Sequence, residues 1–280
     1  MKRELEVALE AAMAAGREVS RIYREGFDVR QKGAEGPVTT ADLRADEVIR
    51  QILGSAFPDD AQLSEERPDD PARMGRSRLW LIDPLDGTHQ FVDRIGEFAV
   101  MIGLALEGRS VLGVVHLPEE QLTLAALEGA GAFVVEASGH RRFLELEPWS
   151  PALGAPRVTV SRSHAGPRTR QVLDRLQPSR VLRSGSVGRK ACLVALGRAD
   201  AYFSLGRRSS HWDACAPEII VREAGGVFLQ ADGRPFRYNL ADVRNRQGLL
   251  AARPGLASTI LEAATSSFEP GVPEHRQGAP

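Results

Sequence analysis

Two acidic residues stand three positions apart at the end of an apolar run in the segment WLIDPLDGTHQF, residues 80–91. Asp83 ends the run and Asp86 follows it, so both carboxylates belong to one short stretch of chain. Two carboxylates held this close repel each other unless one is protonated or a cation lies between them. The neighbouring donors are carboxylates and a carbonyl rather than His or Cys side chains, so the segment predicts a site for a hard divalent cation, with Mg²⁺ the first choice.

The residues that follow the two acids could bind an anion. Gly87 and Thr88 begin a short helical pattern, THQFVDRIG, and the free backbone N–H groups at the start of a helix attract negative charge. A cation site and an anion site would then be adjacent. The alternative is that DPLDG is only a surface turn, since Asp, Pro and Gly are the usual residues of turns.

Other acids stand where a structural role would also account for them. Asp213 precedes an apolar helix and, taken alone, is most simply its N-cap. Asp42, in TTAD, reads as the return partner of a capping box begun by Thr39. Glu65 and Glu66, in LSEE, could be ordinary loop acids. Taken singly, none of these residues points to chemistry.

The elements around these acids form two patterns along the chain. Apolar residues at helical spacing predict a long first helix that ends near Gly26 and a second that starts at Thr39 or Thr40. From Leu79 onward, short apolar runs separated by Gly, Pro and charged turns predict strands. These strands should be mostly antiparallel, because the gaps are too short for crossover helices.

From about Pro151 the pattern changes to strands that alternate with helices, which predicts an α/β arrangement. We therefore expect an N-terminal α+β half over residues 1–150, with a mostly antiparallel sheet and most of the metal ligands, and a C-terminal α/β half over residues 151–265, with the substrate-recognition residues. Residues 266–280 are polar and rich in Pro and Gly, and are expected to be disordered.

Composition excludes several classes of partner. The chain has 280 residues, of which 42% are hydrophobic, enough for a substantial core. Its 36 Lys and Arg residues nearly balance 37 Asp and Glu residues, so no footprint for a nucleic-acid polymer or an anionic membrane is present. No segment reaches the roughly 20 apolar residues that span a bilayer. Two cysteines fit neither a disulfide framework nor a zinc site, and a cytoplasmic location is expected.

Taken together, the acidic segments resemble a known family. DPLDGTHQF, residues 83–91, resembles the DPxDGTxxF signature of the Mg²⁺-dependent, lithium-sensitive phosphatases typified by inositol monophosphatase. WDACAPEIIVREAGG, residues 212–226, resembles their WDxxAxxxxxxxAGG signature, and PVTTAD and LSEE occur in the expected order. The resemblance spans residues 37–251. It implies an α/β (α+β) fold, the layered αβαβα sandwich of the inositol monophosphatase and sugar phosphatase type, with the active site between the two halves.

The resemblance also implies roles for individual residues in the two-metal hydrolysis of a phosphate monoester. The implied metal ligands are Glu65, Asp83, the carbonyl of Leu85, Asp86 and Asp213. They would hold two or three Mg²⁺ ions per site, with Mn²⁺ as a possible substitute. Asp42 and Thr88, with Glu65, would be catalytic by orienting and deprotonating the attacking water, and the N–H groups of Gly87 and Thr88 would hold the phosphate. The doublet leaves open whether Glu65 or Glu66 is the ligand, and Glu65 is preferred.

One branch of the family is most similar. VTVSRSH, residues 158–164, and RSGSVGRKACLVALGRADAY, residues 183–202, resemble the CysQ-type 3'(2'),5'-bisphosphate nucleotidases. This implies removal of the 3'-phosphate of adenosine 3',5'-bisphosphate, a role in sulfur assimilation, and four substrate-binding residues. These are Ser161, His164, Ser186 and Lys190.

The alternatives within enzymes are an inositol phosphatase and a sugar phosphatase, including fructose-1,6-bisphosphatase. Ser204 stands where inositol-specific members carry a glutamate, which disfavours a neutral polyol substrate. A catalytically inactive binding protein on the same scaffold would show broken ligands, and none of the matched acids is lost. The expected partner is thus a small phosphate ester, with no nucleic-acid polymer and no membrane, and a homodimer is a possible assembly.

Overall fold

Two large β-sheets, the helices packed on them and a separate two-stranded pair make up the described part of the chain in its computed structural model. The structure describes residues 1–33, 36–136, 138–163 and 165–265. The tail expected to be disordered, residues 266–280, lies outside the described residues, as does His164. The helices of the described part are α1 Lys2–Glu25, α2 Thr40–Ala56, α3 Thr88–Val92, α4 Pro167–Leu176, α5 Val187–Ala195, α6 His211–Glu223 and α7 Ala257–Thr265.

The larger sheet is built from strands that follow one another in sequence, in the order β3-β4-β5-β6-β7-β8-β9. Only β3 and β4 pair in parallel, and the later neighbours are antiparallel, as the short connections predict. A separate pair, β1 Val29–Gln31 and β2 Pro37–Thr39, precedes the sheet. The strands of the sheet are β3 Ala61–Ser64, β4 Arg78–Asp86, β5 Ala99–Leu106, β6 Arg109–Leu117, β7 Leu122–Leu127, β8 Gly131–Val135 and β9 Arg141–Leu144.

The smaller sheet has the order β11-β10-β12-β14-β13. Its strands β10, β11 and β12 are parallel and are connected by helices, which confirms the predicted alternation, while β14 pairs antiparallel with β12 and β13. No alternating pattern in the sequence predicts β14, because all four of its residues are buried. The strands are β10 Arg157–Ser161, β11 Arg180–Ser184, β12 Ala201–Ser204, β13 Val227–Leu229 and β14 Leu249–Ala252.

Each sheet separates two layers of helices. On β4, Trp80 and Ile82 pack with α1 and α2, whereas Leu79 and Leu81 point to the opposite face and pack with α5 and α6. The far side of α5 and α6 meets the smaller sheet, whose other face carries α4 and α7. The result is the αβαβα sandwich that was expected. Its layers are, in order, α1 and α2, the large sheet, α5 and α6, the small sheet, and α4 and α7.

The central helix α6 lies unusually close to the large sheet. Gly103 of β5 and Gly113 of β6 are cross-strand partners beneath it. A Cβ atom on Gly103 would come 2.7 Å from Cys215 Sγ, and one on Gly113 would come 2.5 Å from the carbonyl oxygen of Ala216. The two glycines therefore let the backbone of α6 approach the sheet that carries Asp83.

None of the helices in the described ranges has the length and apolar character required to span a bilayer.

We expect Gly113→Ala to lower the free energy of unfolding by about 1–3 kcal/mol, since the added methyl group must displace the α6 backbone from a packed interface. Chemical denaturation monitored by circular dichroism measures this change. Gly75→Ala is the matched control, because a Cβ atom there would meet no described atom within 4 Å. Equal stability of the two variants would contradict close packing of α6 on the glycine pair.

Candidate active site

A β-bulge brings Asp83 and Asp86 to the same side of the large sheet. Asp83 pairs with Met101 and Asp86 with Ala99, so β4 carries one residue more than β5 between these pairs. In a regular strand, residues three positions apart point to opposite faces, and the additional residue reverses that relation. Pro84 lies within the bulge, where it has no N–H to contribute to the ladder. DPLDG is therefore not a surface turn, because its residues up to Asp86 continue the buried, bulged strand β4.

Asp213 joins these two acids from α6. One carboxylate oxygen of each of Asp83, Asp86 and Asp213 lies within 4.8 Å of the others. Asp213 is the third residue of the helix rather than its N-cap, which is Ser210, so the N-cap interpretation is wrong by three positions. The two residues form a capping box, in which Asp213 accepts from the Ser210 N–H at 2.6 Å.

Hydrogen bonds fix one oxygen of each acid in this group. Asp83 Oδ1 accepts from the Leu85 N–H at 3.1 Å. Asp86 Oδ2 accepts from the Ser186 hydroxyl at 2.6 Å and from the Gly188 N–H at 2.7 Å. Each carboxylate is thus held by donors of its own segment or of α5, which orients its second oxygen for a shared ligand.

The crowding of these acids raises their pKa values. Desolvation raises the pKa of Asp213 to about 7, with the charge of Asp86 adding to the shift. Desolvation and the neighbouring charges of Glu65 and Asp86 raise the pKa of Asp83 well above its ordinary value. The pKa of Asp86 is also raised by desolvation, against the attraction of the Lys190 ammonium. Buried carboxylates that gather so closely fit a divalent metal ion, which would replace the protons they otherwise need.

A second pair of residues lies beside this group. Asp42 is 2% exposed, and its Oδ2 accepts from the Thr39 N–H at 2.7 Å and the Thr39 hydroxyl at 2.6 Å, so the predicted capping box of α2 is confirmed. The Thr88 hydroxyl lies 3.0 Å from the other oxygen of Asp42 and 3.1 Å from the Leu85 carbonyl oxygen. Desolvation raises the pKa of Asp42 to about 6. A carboxylate with a pKa near neutrality and a neighbouring hydroxyl can accept a proton.

The two glutamates of LSEE differ in their surroundings. Glu66 forms a salt bridge with Lys32, and its side chain is nearly buried. Glu65 lines the cleft without belonging to the close group of three aspartates. Its pKa is raised well above the ordinary value by desolvation and by the charges of Asp213 and Glu66. Glu65 is exposed, unlike its neighbour Ser64, and faces the open cleft.

A buried aspartate that no sequence motif marks connects Glu65 to the helix of Asp42. Asp46 is fully buried one turn after Asp42, where it accepts from the Ser64 hydroxyl and from Arg67 Nε, both at 2.6 Å. Ser64 and Arg67 flank the LSEE glutamates in the sequence. The spacing of four residues on α2 is the signal that could have indicated Asp46.

The residues predicted to bind substrate lie in different environments. Gly87, Ser161 and Ser186 line the cleft with Thr88. Lys190 also reaches the cleft wall, but it is 3% exposed, and its Nζ donates to the carbonyls of Gly185 at 2.8 Å and Ser186 at 2.6 Å. Desolvation lowers the pKa of Lys190 to about 8. This geometry favours support of the Ser186 turn over direct contact with a ligand.

The three aspartates Asp83, Asp86 and Asp213 and the two glutamates of LSEE line one cleft of about 810 Å³. A volume of this size accommodates a nucleotide or a sugar phosphate. The carboxylates come from β4, α6 and the segment after β3. Ser161 of β10 and Ser204 of β12 also line the cleft, so both sheets contribute to its walls.

Known proteins resemble the chain over most of its length. The model of the inositol monophosphatase family matches residues 1–268. The 3'(2'),5'-bisphosphate nucleotidase CysQ of Aggregatibacter actinomycetemcomitans is 34% identical over 84% of this chain and 87% of its own. A histidinol-phosphatase of Chlorobaculum parvum is 31% identical over 94% and 97%. The crystal structure of CysQ from Bacteroides thetaiotaomicron, 32% identical, superposes with a TM-score of 0.75 over 90% of this chain and 98% of that one.

We expect the affinity for Mg²⁺ to rise with pH between 6 and 8. With a pKa of about 7, Asp213 holds a proton at the lower end of this range, and the ion must displace it. Release of one proton strengthens the apparent affinity about tenfold per pH unit below that pKa. Isothermal titration calorimetry at pH 6.5 in two buffers of different ionisation enthalpy measures the protons released.

Asp213→Asn should bind Mg²⁺ more weakly and release fewer protons, whereas the exposed control Asp59→Asn should behave as the wild type. An affinity that stays constant from pH 6 to pH 8 would contradict binding at the crowded carboxylates.

Proposed function

The chain belongs to the inositol monophosphatase family of metal-dependent phosphatases, and we propose that it is a 3'(2'),5'-bisphosphate nucleotidase. Its substrate would be adenosine 3',5'-bisphosphate, which it would hydrolyse to AMP and phosphate. The proposal rests on one cleft that is lined by the Asp83, Asp86 and Asp213 group and by Thr88, whose hydroxyl is hydrogen-bonded to the buried Asp42 behind it.

The donor set determines which ion we propose. Oxygen ligands alone favour Mg²⁺, with Mn²⁺ as a substitute. One ion would be held by Glu65, Asp83 and the Leu85 carbonyl. A second ion would be held by Asp86, Asp213 and Asp83, which both ions would share. When bound, such ions acidify a coordinated water and neutralise charge on the phosphate and the leaving oxygen.

The residues of the chain would position the reactants and move one proton. The N–H groups of Gly87 and Thr88 would hold the phosphate. The attacking water would pass a proton to Thr88 Oγ1, whose own proton passes to Asp42 Oδ1 over the observed 3.0 Å contact. The water oxygen bonds to phosphorus, and the bond from phosphorus to the ribose 3'-oxygen breaks. That oxygen leaves as a hydroxyl after gaining a proton from solvent water, and Asp42 returns the proton it accepted to solvent. One water and one ester give one alcohol and one phosphate.

Two observations support a nucleotide within this family. Relatives named as CysQ nucleotidases share about a third of their residues with this chain. Ser204, at the cleft wall, replaces the glutamate that the resemblance assigns to inositol-specific members. For the nucleotide contacts we propose Ser161, Ser186 and His164, the last on the resemblance alone, and for Lys190 a positioning role beneath the Ser186 turn.

A second candidate function is the hydrolysis of an amino-alcohol phosphate, because the histidinol-phosphatase relative aligns with nearly the whole chain. Histidinol phosphate carries a single phosphate and a positive ammonium group. Its ammonium group would require a free acid in the cleft that is not engaged with metal. Inositol 1-phosphate and fructose 1,6-bisphosphate are the remaining alternatives.

We expect a substrate panel assayed for released phosphate with Mg²⁺ to show the highest kcat/KM for adenosine 3',5'-bisphosphate. The panel includes inositol 1-phosphate, fructose 1,6-bisphosphate and histidinol phosphate. Removal of the metal with EDTA should abolish turnover of every substrate, and added Mg²⁺ should restore it. A preference of a thousandfold for one of the other three compounds would overturn the nucleotidase assignment.

We expect Asp42→Asn to reduce kcat by about 10²–10⁴, since an amide cannot accept the proton. The variant should keep Mg²⁺ affinity within a few-fold of wild type, because Asp42 lies outside the aspartate group. In the wild type, kcat should fall as pH decreases through about 6, where Asp42 becomes protonated. Phosphate-release assays measure kcat, and calorimetry measures the Mg²⁺ affinity. A variant that loses both would contradict a role for Asp42 in proton transfer that is separate from metal binding.

A further inference from the structure

Two arginines on the loop between β12 and α6 stand on the wall of the catalytic cleft. Arg207 and Arg208 are exposed and line the same space as Asp213. The loop is anchored close to them, because the Asn245 N–H donates to the Ser209 carbonyl at 2.8 Å and Asn245 Nδ2 donates to the Ser210 carbonyl at 2.5 Å. The arginines are therefore held within a few residues of the metal-binding helix end.

The two arginines differ from the other basic side chains at the cleft, which have interaction partners within the chain. Lys32 is paired with Glu66, Arg67 is paired with Asp46, and Lys190 donates to two backbone carbonyls. His89 and Arg244 also have interaction partners. Among the residues that the structure describes, neither Arg207 nor Arg208 makes a hydrogen bond or an ion pair with another group of the chain.

The opposite signs of charge in the cleft suit a substrate with two anionic groups. The aspartates bind cations and would repel any phosphate that is not bridged by metal. A second phosphate must therefore lie away from them, at donors that carry positive charge without a metal. Each guanidinium offers five N–H groups in a planar fork that matches phosphate oxygens.

We infer that Arg207 and Arg208 form a subsite for the second phosphate of the substrate, the one that is not cleaved. The inference rests on the proposed hydrolysis of a bisphosphate and assigns its selectivity to this loop. A monophosphate would reach the metal site but would leave the two arginines without a ligand.

The test compares two substrates in two proteins. Adenosine 3',5'-bisphosphate and adenosine 3'-monophosphate share the phosphate to be cleaved, and only the first carries the 5'-phosphate. In R207A/R208A we expect kcat/KM for the bisphosphate to fall about ten- to hundredfold, as for lost hydrogen bonds between charged groups, and kcat/KM for the monophosphate to stay within about twofold. R207K/R208K should recover part of the loss, since charge remains but the planar fork is absent.

The charge-matched control is R76A/R180A, which removes two exposed arginines that do not line the cleft. It should leave both substrates unchanged, and thermal melts with Mg²⁺ should show all variants folded. Raising KCl should increase the wild-type KM for the bisphosphate more than that of R207A/R208A.

An equal loss on both nucleotides, or no loss on the bisphosphate, would overturn the subsite while leaving the nucleotidase proposal intact. If the wild type hydrolyses fructose 1,6-bisphosphate instead, the proposed substrate is wrong, and the comparison with fructose 1-phosphate tests the subsite. If only inositol 1-phosphate or histidinol phosphate is hydrolysed, both proposals are overturned.

Discussion

Mutual repulsion among Asp83, Asp86 and Asp213 is the interaction on which the arrangement of the cleft depends. Their oxygens approach within 4.8 Å in a region where two of the three side chains are buried, so the folded chain must either retain protons there or take up a cation. The raised pKa values correspond to the retention of protons. The divalent metal that the family implies corresponds to the uptake of a cation. Repulsion among these aspartates therefore lowers the stability of the metal-free protein, and relief of the same repulsion contributes to the affinity of the folded protein for metal.

Local irregularities in the large sheet and in the turn before α5 position these charges. The bulge in β4 turns Asp83 and Asp86 to one side, and the pair Gly103 and Gly113 lets α6 bring Asp213 close. Ser186, whose φ of 47° is uncommon for a residue with a side chain, donates to Asp86 while Lys190 secures the turn from below. Specific departures from regular geometry thus bring these ligands together, and the regular strands around them supply the rigidity.

The periodic elements could be predicted from the sequence because their signals are local. The end of α1 at Gly26, the capping box at Thr39 and the antiparallel strands after Leu79 follow from spacing and turn residues. The bulge could not be predicted, because DPLDG is equally compatible with a tight turn until the β5 partner is known. The burial of Lys190 depends on contacts made within the folded loop. Likewise, the pairing of Glu66 with Lys32, which leaves Glu65 facing the cleft, joins residues 34 positions apart.

The two capping boxes give Asp42 and Asp213 a structural role that does not depend on catalysis. Asp42 and Asp213 each complete a capping box in the first turn of a helix, a role that stabilises α2 and α6 whether or not any reaction takes place. A descendant that lost its enzymatic activity would still be under selection to keep an acid or amide at both positions. Their presence in a distant homologue is consequently weak evidence for turnover. Asp86 likewise accepts from the Gly188 N–H in the first turn of α5, whereas Asp83 accepts from the Leu85 N–H and caps no helix of the described chain, so its loss would be the earlier sign of a pseudoenzyme.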